Sequence, residues 1–458
     1  MYSGMEKSAI PVVMTIAGSD PIAGAGIQAD LKTFSALGVY GVSVITAITA
    51  QNTSGIQRIM PLSPDLVASQ IASVLMEAEV QVWKTGMLAT AEIAGVIGQK
   101  LQEYGPTILI IDPVLKAGEG TPLLTPEGIK ALKEVLLPCA YLVTPNIGEA
   151  EILAEIEIND PAGMREACRK LYQLGVKNVL LKGGHLPGPA IDLLYDGKDF
   201  REYFSERIPK DAHGTGCTFT AAIAAELAKG KGLIEAVSIA KEYISSLLHH
   251  GFAWRGDKYL MFHSSLLLRE AQRYTLVQEI LAALELLKEE EIGDLIPEVQ
   301  SNLGLALPDA CGVEDVLAIP GRIIRLGKSI AWFKPPAFGA SQHIADIILT
   351  VLRYDPQKRA VMNIRYSPEI IRAGEQLRLR IGSFSRDQEP GEIKDQEGKS
   401  LEWGVSRAIE ELGMVPDLIY DTGGWGKEAM TRVIGKDARD VASKVIALHK
   451  EWLRSAKR

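Results

Sequence analysis

A chain of 458 residues exceeds what one hydrophobic core supports, since cores stop growing near roughly 250–300 residues, so at least two domains are expected. Its 47% hydrophobic and 23% charged residues fit an ordinary globular enzyme and exclude a fibrous or largely disordered chain. The net charge of −8, with both signs interspersed, excludes nucleic acid held on an extended basic face.

From Pro11 to about Gly251, apolar runs of strand character alternate with amphipathic helical patterns, which predicts a mostly parallel sheet with helices on both faces. VVMTIAGSD is the first strand; a helix over Ile27–Leu37, closed by Gly38, leads to a second in VSVITAITAQNT, a βαβ unit with its right-handed crossover. VQVWKTGM, ILIIDPV, YLVTPN and NVLLKGGH are further strands, with helices over about Asp65–Glu77, Ala91–Tyr104, Pro126–Leu136 and Ala162–Leu174. Ala-rich helices near Cys217–Lys229 and Ile234–His249 close the unit. FAWRGDKYLMFHSS breaks the period, and a charged linker helix over about 266–290 follows, so the domains are expected at 1–264 and 265–458. The second is a smaller α/β domain. Its candidate strands are RIIRLG, AVMNIRYS, RLRIGSF and DLIYDTG, and its candidate helices lie near Ser341–Arg353, Pro368–Glu375, Leu401–Leu412 and Ala438–Leu453.

Cys139, Cys168, Cys217 and Cys311 show no CxxC spacing and suit a reducing cytosol. No apolar run reaches the ~18 residues that span a bilayer and the start has no secretory pattern, so a cytoplasmic protein without a membrane partner is expected.

Several motifs fall at strand ends, where open α/β sheets bind ligands. AGSDPIAGAGIQAD is a Gly-rich loop between the first strand and its helix; such loops let a ligand approach the backbone, and many are only tight turns. Neither GxxxxGK[ST] nor a spaced GxGxxG occurs. DAHGTGCTFTAAIAAELAKG carries more information: a GTG turn, flanked by Asp211 and His213, opens directly into a helix of small residues. Phosphoryl transfer is catalysed mainly by positioning and charge stabilisation, and main-chain N–H groups of Gly214, Thr215, Gly216 and Cys217 at a helix start supply both. His213, Gly214, Thr215 and Gly216 are therefore candidate ATP-phosphate contacts. Cys217 stands in the first helical turn, where the dipole is expected to lower the thiol pKa from ~8.5 and suit it to accept the substrate hydroxyl proton.

In chain order, AGSDPIAGAGIQADLKTFSALGVYG, ITAQNT, VWKTGM, TPNIGEAE, KGGH and HGTGCT closely resemble the hydroxymethylpyrimidine/phosphomethylpyrimidine kinases of thiamine biosynthesis, over residues 10–260. The resemblance implies the ribokinase-like fold, ATP and Mg²⁺, and two successive phosphorylations that give the pyrimidine pyrophosphate. It implies that Gln51 pairs its amide with the aminopyrimidine edge, with Gly18, Ala25, Met87 and Val114 lining the same pocket. Asp112 and Glu149 match the magnesium-associated acids, partly through water, and Lys182 a phosphate-contacting lysine. The chain departs from the usual loop at Ile22, where Ser follows Pro in the family. Kinases of this fold often pair, so a homodimer is expected by analogy.

In the second half, PGRIIR, AFGASQHIADIIL, NIRYSPEII, LEWGVSRAI and GGWGKEAMTRVIGKD resemble the thiamine-phosphate synthase domain fused behind this kinase in archaea and some bacteria. The implied reaction joins the pyrimidine pyrophosphate to thiazole phosphate with loss of pyrophosphate, and Arg322 and His343 match positions expected to act in it. Guanidinium and imidazolium suit a departing anion. Gly423, Gly424, Gly426 and Lys427 follow a strand and precede a candidate helix, where either a phosphate cradle or a plain turn fits; Asn363 and Arg365 are further polar candidates. Two other readings stay open: a non-catalytic thiamine-phosphate sensor in place of the synthase, and a generic sugar kinase with an appendage, which AQNT and Cys217 oppose.

Overall fold

The computed structural model describes residues 10–105, 108–184, 190–205, 212–253, 258–390, 399–424 and 426–456. The chain divides into two compact units, Met1–Leu267 and Leu268–Arg458.

In the first unit nine strands form one sheet: β1 (Val12–Ser19), β2 (Tyr40–Asn52), β3 (Gly55–Pro61), β4 (Val82–Thr85), β5 (Ile108–Ile111), β6 (Leu142–Val143), β7 (Val179–Lys182), β8 (Ala190–Tyr195) and β9 (Phe200–Ser205). Their order is β3-β2-β1-β4-β5-β6-β7-β8-β9. The six strands from β2 to β7 run parallel, and β3, β8 and β9 add antiparallel margins. Those three margins escaped the sequence reading: β3 is laced with exposed Gln57 and Arg58, and β8 and β9 form a hairpin around Asp196–Asp199.

Successive residues of a strand face opposite sides, and the two cores follow. Met14, Ile16, Trp83, Leu109 and Ile111 pack with helices α2 (Pro64–Glu77), α3 (Ala91–Tyr104) and α6 (Pro161–Gln173); Val13, Val82 and Ile110 pack with α7 (Thr215–Ala228) and α8 (Leu233–His249). Helix α1 (Gly26–Ala36) contributes Phe34 to the second face. Helix starts are written in the sequence: the side chains of Ser63, Thr90 and Asp160 accept main-chain N–H bonds at the caps of α2, α3 and α6. The helix expected to Leu136 is α4 (Pro126–Ala131) continued by a π turn over Leu132–Leu136, and α5 (Ile147–Ala154) is additional. A small sheet of β10 (Ala212–His213), β11 (Phe252–Ala253) and β12 (Tyr259–Leu260) completes the unit.

The charged helix α9 runs Ser265–Glu289. In the second unit β13 (Leu303–Ala306), β14 (Val316–Ala318), β17 (Ala337–Phe338), β18 (Ala360–Arg365), β19 (Ile381–Ser383), β20 (Leu418–Asp421) and β21 (Met430–Gly435) form a sheet in the order β17-β14-β13-β18-β21-β20-β19. Among the described residues only β19 and β20 pair parallel in this sheet. RIIRLG holds β15 (Ile324–Leu326), which pairs with β16 (Ser329–Ala331) in a separate hairpin. Helices α10 (Gln342–Tyr354), α11 (Pro368–Gln376), Lys399–Leu412 and Ala438–Ala456 cover the sheet's two faces.

Candidate active sites

Helix α7 starts without a side-chain cap, so the first N–H groups of the helix remain available to a ligand. Gly214 precedes it at φ +80°, and a Cβ there would overlap the carbonyl oxygen of Gly24. A Cβ on Gly216 would stand 3.0 Å from Lys182 Nζ. The GTG turn thus lies against the Gly-rich loop after β1 on one side and Lys182 on the other, and at Gly214 backbone leaves no room for a larger residue.

Behind that turn is a set of buried charges. Lys182, at the end of β7, donates to Asp112 Oδ1 at 3.0 Å, and Asp112 Oδ2 is buried with no hydrogen-bond partner among the described residues. Burial opposes charge on Asp112, but Lys182 and Lys84 overcome it and hold the carboxyl below its usual range. Glu149 closes a capping box with Asn146, accepting from Asn146 N–H at 2.8 Å while its own N–H donates to the Asn146 side chain at 2.9 Å. Burial, reinforced by Asp112 and opposed by Lys182, pushes Glu149 up to about 7. Lys84 on β4 and Asp30 on α1 are both fully buried and pair at 2.8 Å; neither stood out in the sequence, where a lysine in an apolar strand was the available signal.

Cys217 differs from expectation. Burial and the nearby Asp112 charge raise its thiol pKa, outweighing the opposing effect of Lys84. The thiol is therefore neutral in this state.

In the same cleft, the Gln51 amide lies 3.5 Å from Nε2 of His213, the residue before Gly214, and that nitrogen in turn lies 3.1 Å from Asp20. The His213 ring is thus held between Gln51 and Asp20. Asp20 also accepts main-chain N–H bonds from Ile22, Gly24 and Ala25, which fixes the loop without a serine at Ile22. Asp211 lies outside the described residues. Gly18, Ala25, Gln51, Met87, Asp112, Val114, Glu149, Lys182, His213, Gly214, Thr215, Gly216 and Cys217 all line this one cleft of about 350 Å³.

The second unit holds a larger cavity, about 590 Å³, between its sheet and the starts of α10 and helix Lys399–Leu412. Arg322 and His343 both line it and are exposed. Arg322 has φ +71°, in the turn following Gly321, and donates to the carbonyl of Val299. Asn363 is spent on the backbone, accepting from Asn302 N–H at 2.7 Å and donating to Gln300 O at 3.0 Å. Arg365 faces away from the cavity, over the Trp452 ring. Gly423, Gly424 and Lys427 do not precede a helix: they form the turn between β20 and β21, with Gly424 and Lys427 bridged. Gly426 and Lys427 still line the cavity, together with Arg386 and Arg432, which the sequence reading missed.

A mostly parallel nine-stranded sheet whose strand ends meet a glycine turn and an uncapped helix start defines a small-molecule kinase of the ribokinase-like type. The chain matches the Phosphomethylpyrimidine kinase family over residues 20–260 and the Thiamine-phosphate synthase ThiN family over residues 279–447. It belongs to the phosphomethylpyrimidine kinase family and, like the Bifunctional thiamine biosynthesis protein ThiDN of Methanocaldococcus jannaschii, carries the ThiN domain behind the kinase. To that protein it is 32% identical over 96% of this chain and 98% of the other. It is 51% identical to the Thiamine biosynthesis bifunctional protein ThiED of Geobacter sulfurreducens and 45% identical to the Thiamine biosynthetic bifunctional enzyme TH1 of Arabidopsis thaliana, each over about half of both chains (52% of this chain and 49% of the first; 53% and 47% for the second). Among solved structures, the ADP complex of Bacillus subtilis pyridoxal kinase is similar at 38% identity and TM-score 0.52, over 57% of this chain and all of that one (100%). The Staphylococcus aureus pyridoxal kinase bound to AMP-PCP and pyridoxal gives 35% identity and TM-score 0.53, over 57% and 95% of the two chains. Among the described residues no helix is long and apolar enough to cross a membrane.

Proposed function

We infer that this protein is a bifunctional enzyme of thiamine biosynthesis. Residues 1–264 phosphorylate hydroxymethylpyrimidine and then its monophosphate with ATP; residues 265–458 join the resulting pyrophosphate to thiazole phosphate. The observation that carries the kinase reading is that Gln51, with an amide donor and acceptor suited to an aminopyrimidine edge, shares one cleft with the N–H groups opening α7. A hydroxymethyl oxygen placed between them attacks the terminal phosphorus of ATP, the bond from that phosphorus to ADP breaks, and the hydroxyl proton passes to water. Main-chain N–H groups of Thr215, Gly216 and Cys217 take the charge spreading over the equatorial oxygens, and Lys182 neutralises a phosphate edge.

In this reading Mg²⁺ would be held by Asp112 and Glu149. The orphaned, buried Asp112 Oδ2 is a hard oxygen donor suited to it. Among the described residues no group of three or more His, Cys, Asp or Glu side chains could hold a metal, so water and phosphate oxygens complete the shell. Mg²⁺ supplies neutralisation of phosphate charge. Cys217, neutral here, is a proton acceptor only once substrates alter its surroundings, which makes its role an assisting one.

For the synthase, the thiazole ring nitrogen forms a bond to the pyrimidine methylene as the carbon–oxygen bond to pyrophosphate breaks. Arg322 and His343, both exposed and both lining the cavity, are suited to that departing anion. A cytosolic location is part of the proposal and rests on four unpaired cysteines. So is a homodimer, which light scattering after size-exclusion checks.

One incubation tests the whole reading: purified protein with hydroxymethylpyrimidine, ATP, Mg²⁺ and thiazole phosphate, with thiamine phosphate read by fluorescence after oxidation. Thiamine phosphate is expected. Pyrimidine pyrophosphate accumulating alone returns the second unit to a sensor, and no phosphorylated pyrimidine at all overturns the kinase assignment.

A further inference from the structure

The cavity of the second unit carries more positive charge than a single departing anion uses. Arg386 and Arg432 converge on one carboxylate, Asp421, whose side chain is fully buried. Arg386 Nε lies 2.8 Å from Oδ1 and Arg432 Nη2 lies 2.9 Å from Oδ2, while the main-chain N–H of Gly423 donates to Oδ1 at 2.9 Å. One carboxylate cancels one of two guanidinium charges, so the group of Arg386, Arg432 and Asp421 keeps one net positive charge. Glu428 also lines the cavity, but among the described residues it makes no ion pair with Arg386 or Arg432; its two oxygens accept the main-chain N–H groups of Glu298 and Val299 at 3.0 and 2.9 Å. The ring of Phe384 lies 5.8 Å from the Arg386 guanidinium and 5.3 Å from that of Arg432, so aromatic contact and carboxylate together fix both side chains. Each guanidinium carries five N–H donors, and these contacts occupy only part of them.

Arg432 sits on β21, opposite Asn363 of β18, and Asp421 is on β20. Arg322 lies next to the bridge between Ile323 and Ser301, just before β13. From β13 to β21, which carries Arg432, is two strand spacings, roughly 10 Å at about 4.8 Å each. Ser301 lines the cavity, and its Oγ is buried with no hydrogen-bond partner among the described residues, as expected where a ligand is to supply one. The cavity lining therefore holds polar groups of two different builds, the exposed Arg322 and His343 and the braced, largely buried Arg386 and Arg432.

We propose that Arg386 and Arg432, braced by Asp421, bind the phosphate monoester that the joining reaction retains, the group carried by the acceptor ring and kept in the product. This deepens the synthase reading and rests on it. The retained monoester has the same charge before and after the reaction, so a rigid donor pair with fixed charge suits it. The departing diphosphate gains charge as its bond breaks and must then escape, which suits the exposed side chains. Arg386 and Arg432 are binding residues in this assignment, and Asp421 positions them.

The test uses the full-length protein with purified pyrimidine diphosphate and thiazole phosphate, varied separately. Arg386→Ala leaves Asp421 paired with Arg432, and a thermal melt monitors whether the unit stays folded. The expected result is a rise of at least about tenfold in KM for thiazole phosphate, with KM for the diphosphate within about twofold, and a smaller rise for Arg386→Lys. Calorimetry supplies a second readout. Wild type binds thiamine phosphate more tightly than thiamine, and Arg386→Ala loses most of that preference. A raised KM for the diphosphate with an unchanged KM for thiazole phosphate overturns the proposal, as does a variant that keeps the preference for thiamine phosphate. If wild type forms no thiamine phosphate, the synthase reading fails by itself, and the binding comparison still decides whether the arginine pair holds a monoester.

Discussion

In the N-terminal cleft the donors proposed for phosphate are main-chain N–H groups from Thr215 to Cys217, whereas in the C-terminal cavity they are the guanidiniums of Arg322, Arg386 and Arg432. Main-chain donors are aimed by the fold itself. They need no brace, but they need glycine, because the turn that delivers them has Gly24 on one side and Lys182 on the other. Side-chain donors tolerate more sequence around them and must be held by partners, as Asp421 and Phe384 hold the arginine pair. Damage should therefore be sharp and backbone-like in the first site and graded by charge and geometry in the second.

The largest effect is expected at the foundation of the first site. Burial opposes charge on Lys84, yet Asp30 overrides it and holds the ammonium above the usual lysine range. Lys84→Met leaves Asp30 buried without its cation, at a cost of about 3–5 kcal/mol. Urea denaturation followed by kinase activity should show an earlier loss, and adding Asp30→Asn should recover much of it. A midpoint equal to wild type would mean that the pair is not a structural foundation.

Gly214→Ala comes next. With φ at +80° and the Gly24 carbonyl in the way, the turn must move, and displaced anion donors typically cost about 10²–10³ in rate. Kinase kcat should fall by that order, while synthase turnover on supplied pyrimidine diphosphate stays within about twofold. Equal loss of both activities would erase the contrast between the sites.

A smaller effect concerns pH. Glu149 is pushed up to about 7, so below that value it is protonated and a poor ligand, and above it the carboxylate is free to bind Mg²⁺. The Mg²⁺ concentration giving half-maximal kinase activity should thus be about tenfold higher at pH 6 than at pH 8, levelling off above neutrality. Glu149→Gln should flatten that dependence, and a wild-type profile without slope removes Glu149 from the metal. The linked stability has the opposite sense: without metal the folded state holds this proton more tightly, so the contribution declines as pH rises from the ordinary carboxyl range toward 7.

The smallest change is expected at Cys217. A neutral thiol beside a loose transition state contributes little as a base, so Cys217→Ala should lower kcat by about fivefold with ATP KM almost unchanged. Steady-state kinetics at saturating pyrimidine check this; an unaltered kcat removes the thiol from the mechanism.

The same contrast explains what could be read in advance. Main-chain sites leave contiguous traces, so HGTGCT and AGSDPIAGAG were legible as a ligand-binding pair, and the side chains named for the first cleft do line one cavity. Arg386 and Arg432 come from separate segments and carry no local pattern. Strand β21 also hid itself: Met430–Gly435 is buried throughout, so it lacks polar alternation, and Arg432 interrupts its apolar run. The glycines before it were consequently expected to lead into a helix. The Cys217 thiol was misjudged because a helix start is visible in sequence whereas burial and the proximity of Asp112, over a hundred positions away, are not.

The contact between Gly214 and Gly24 has one further implication. Because the proposed phosphate donors are main-chain groups backed by Lys182, while the groups proposed to face the pyrimidine are the side chains of Gln51, Met87 and Val114, the molecule separates what reacts from what is chosen. New acceptors are reachable by exchanging those three side chains, with the transfer machinery inherited intact.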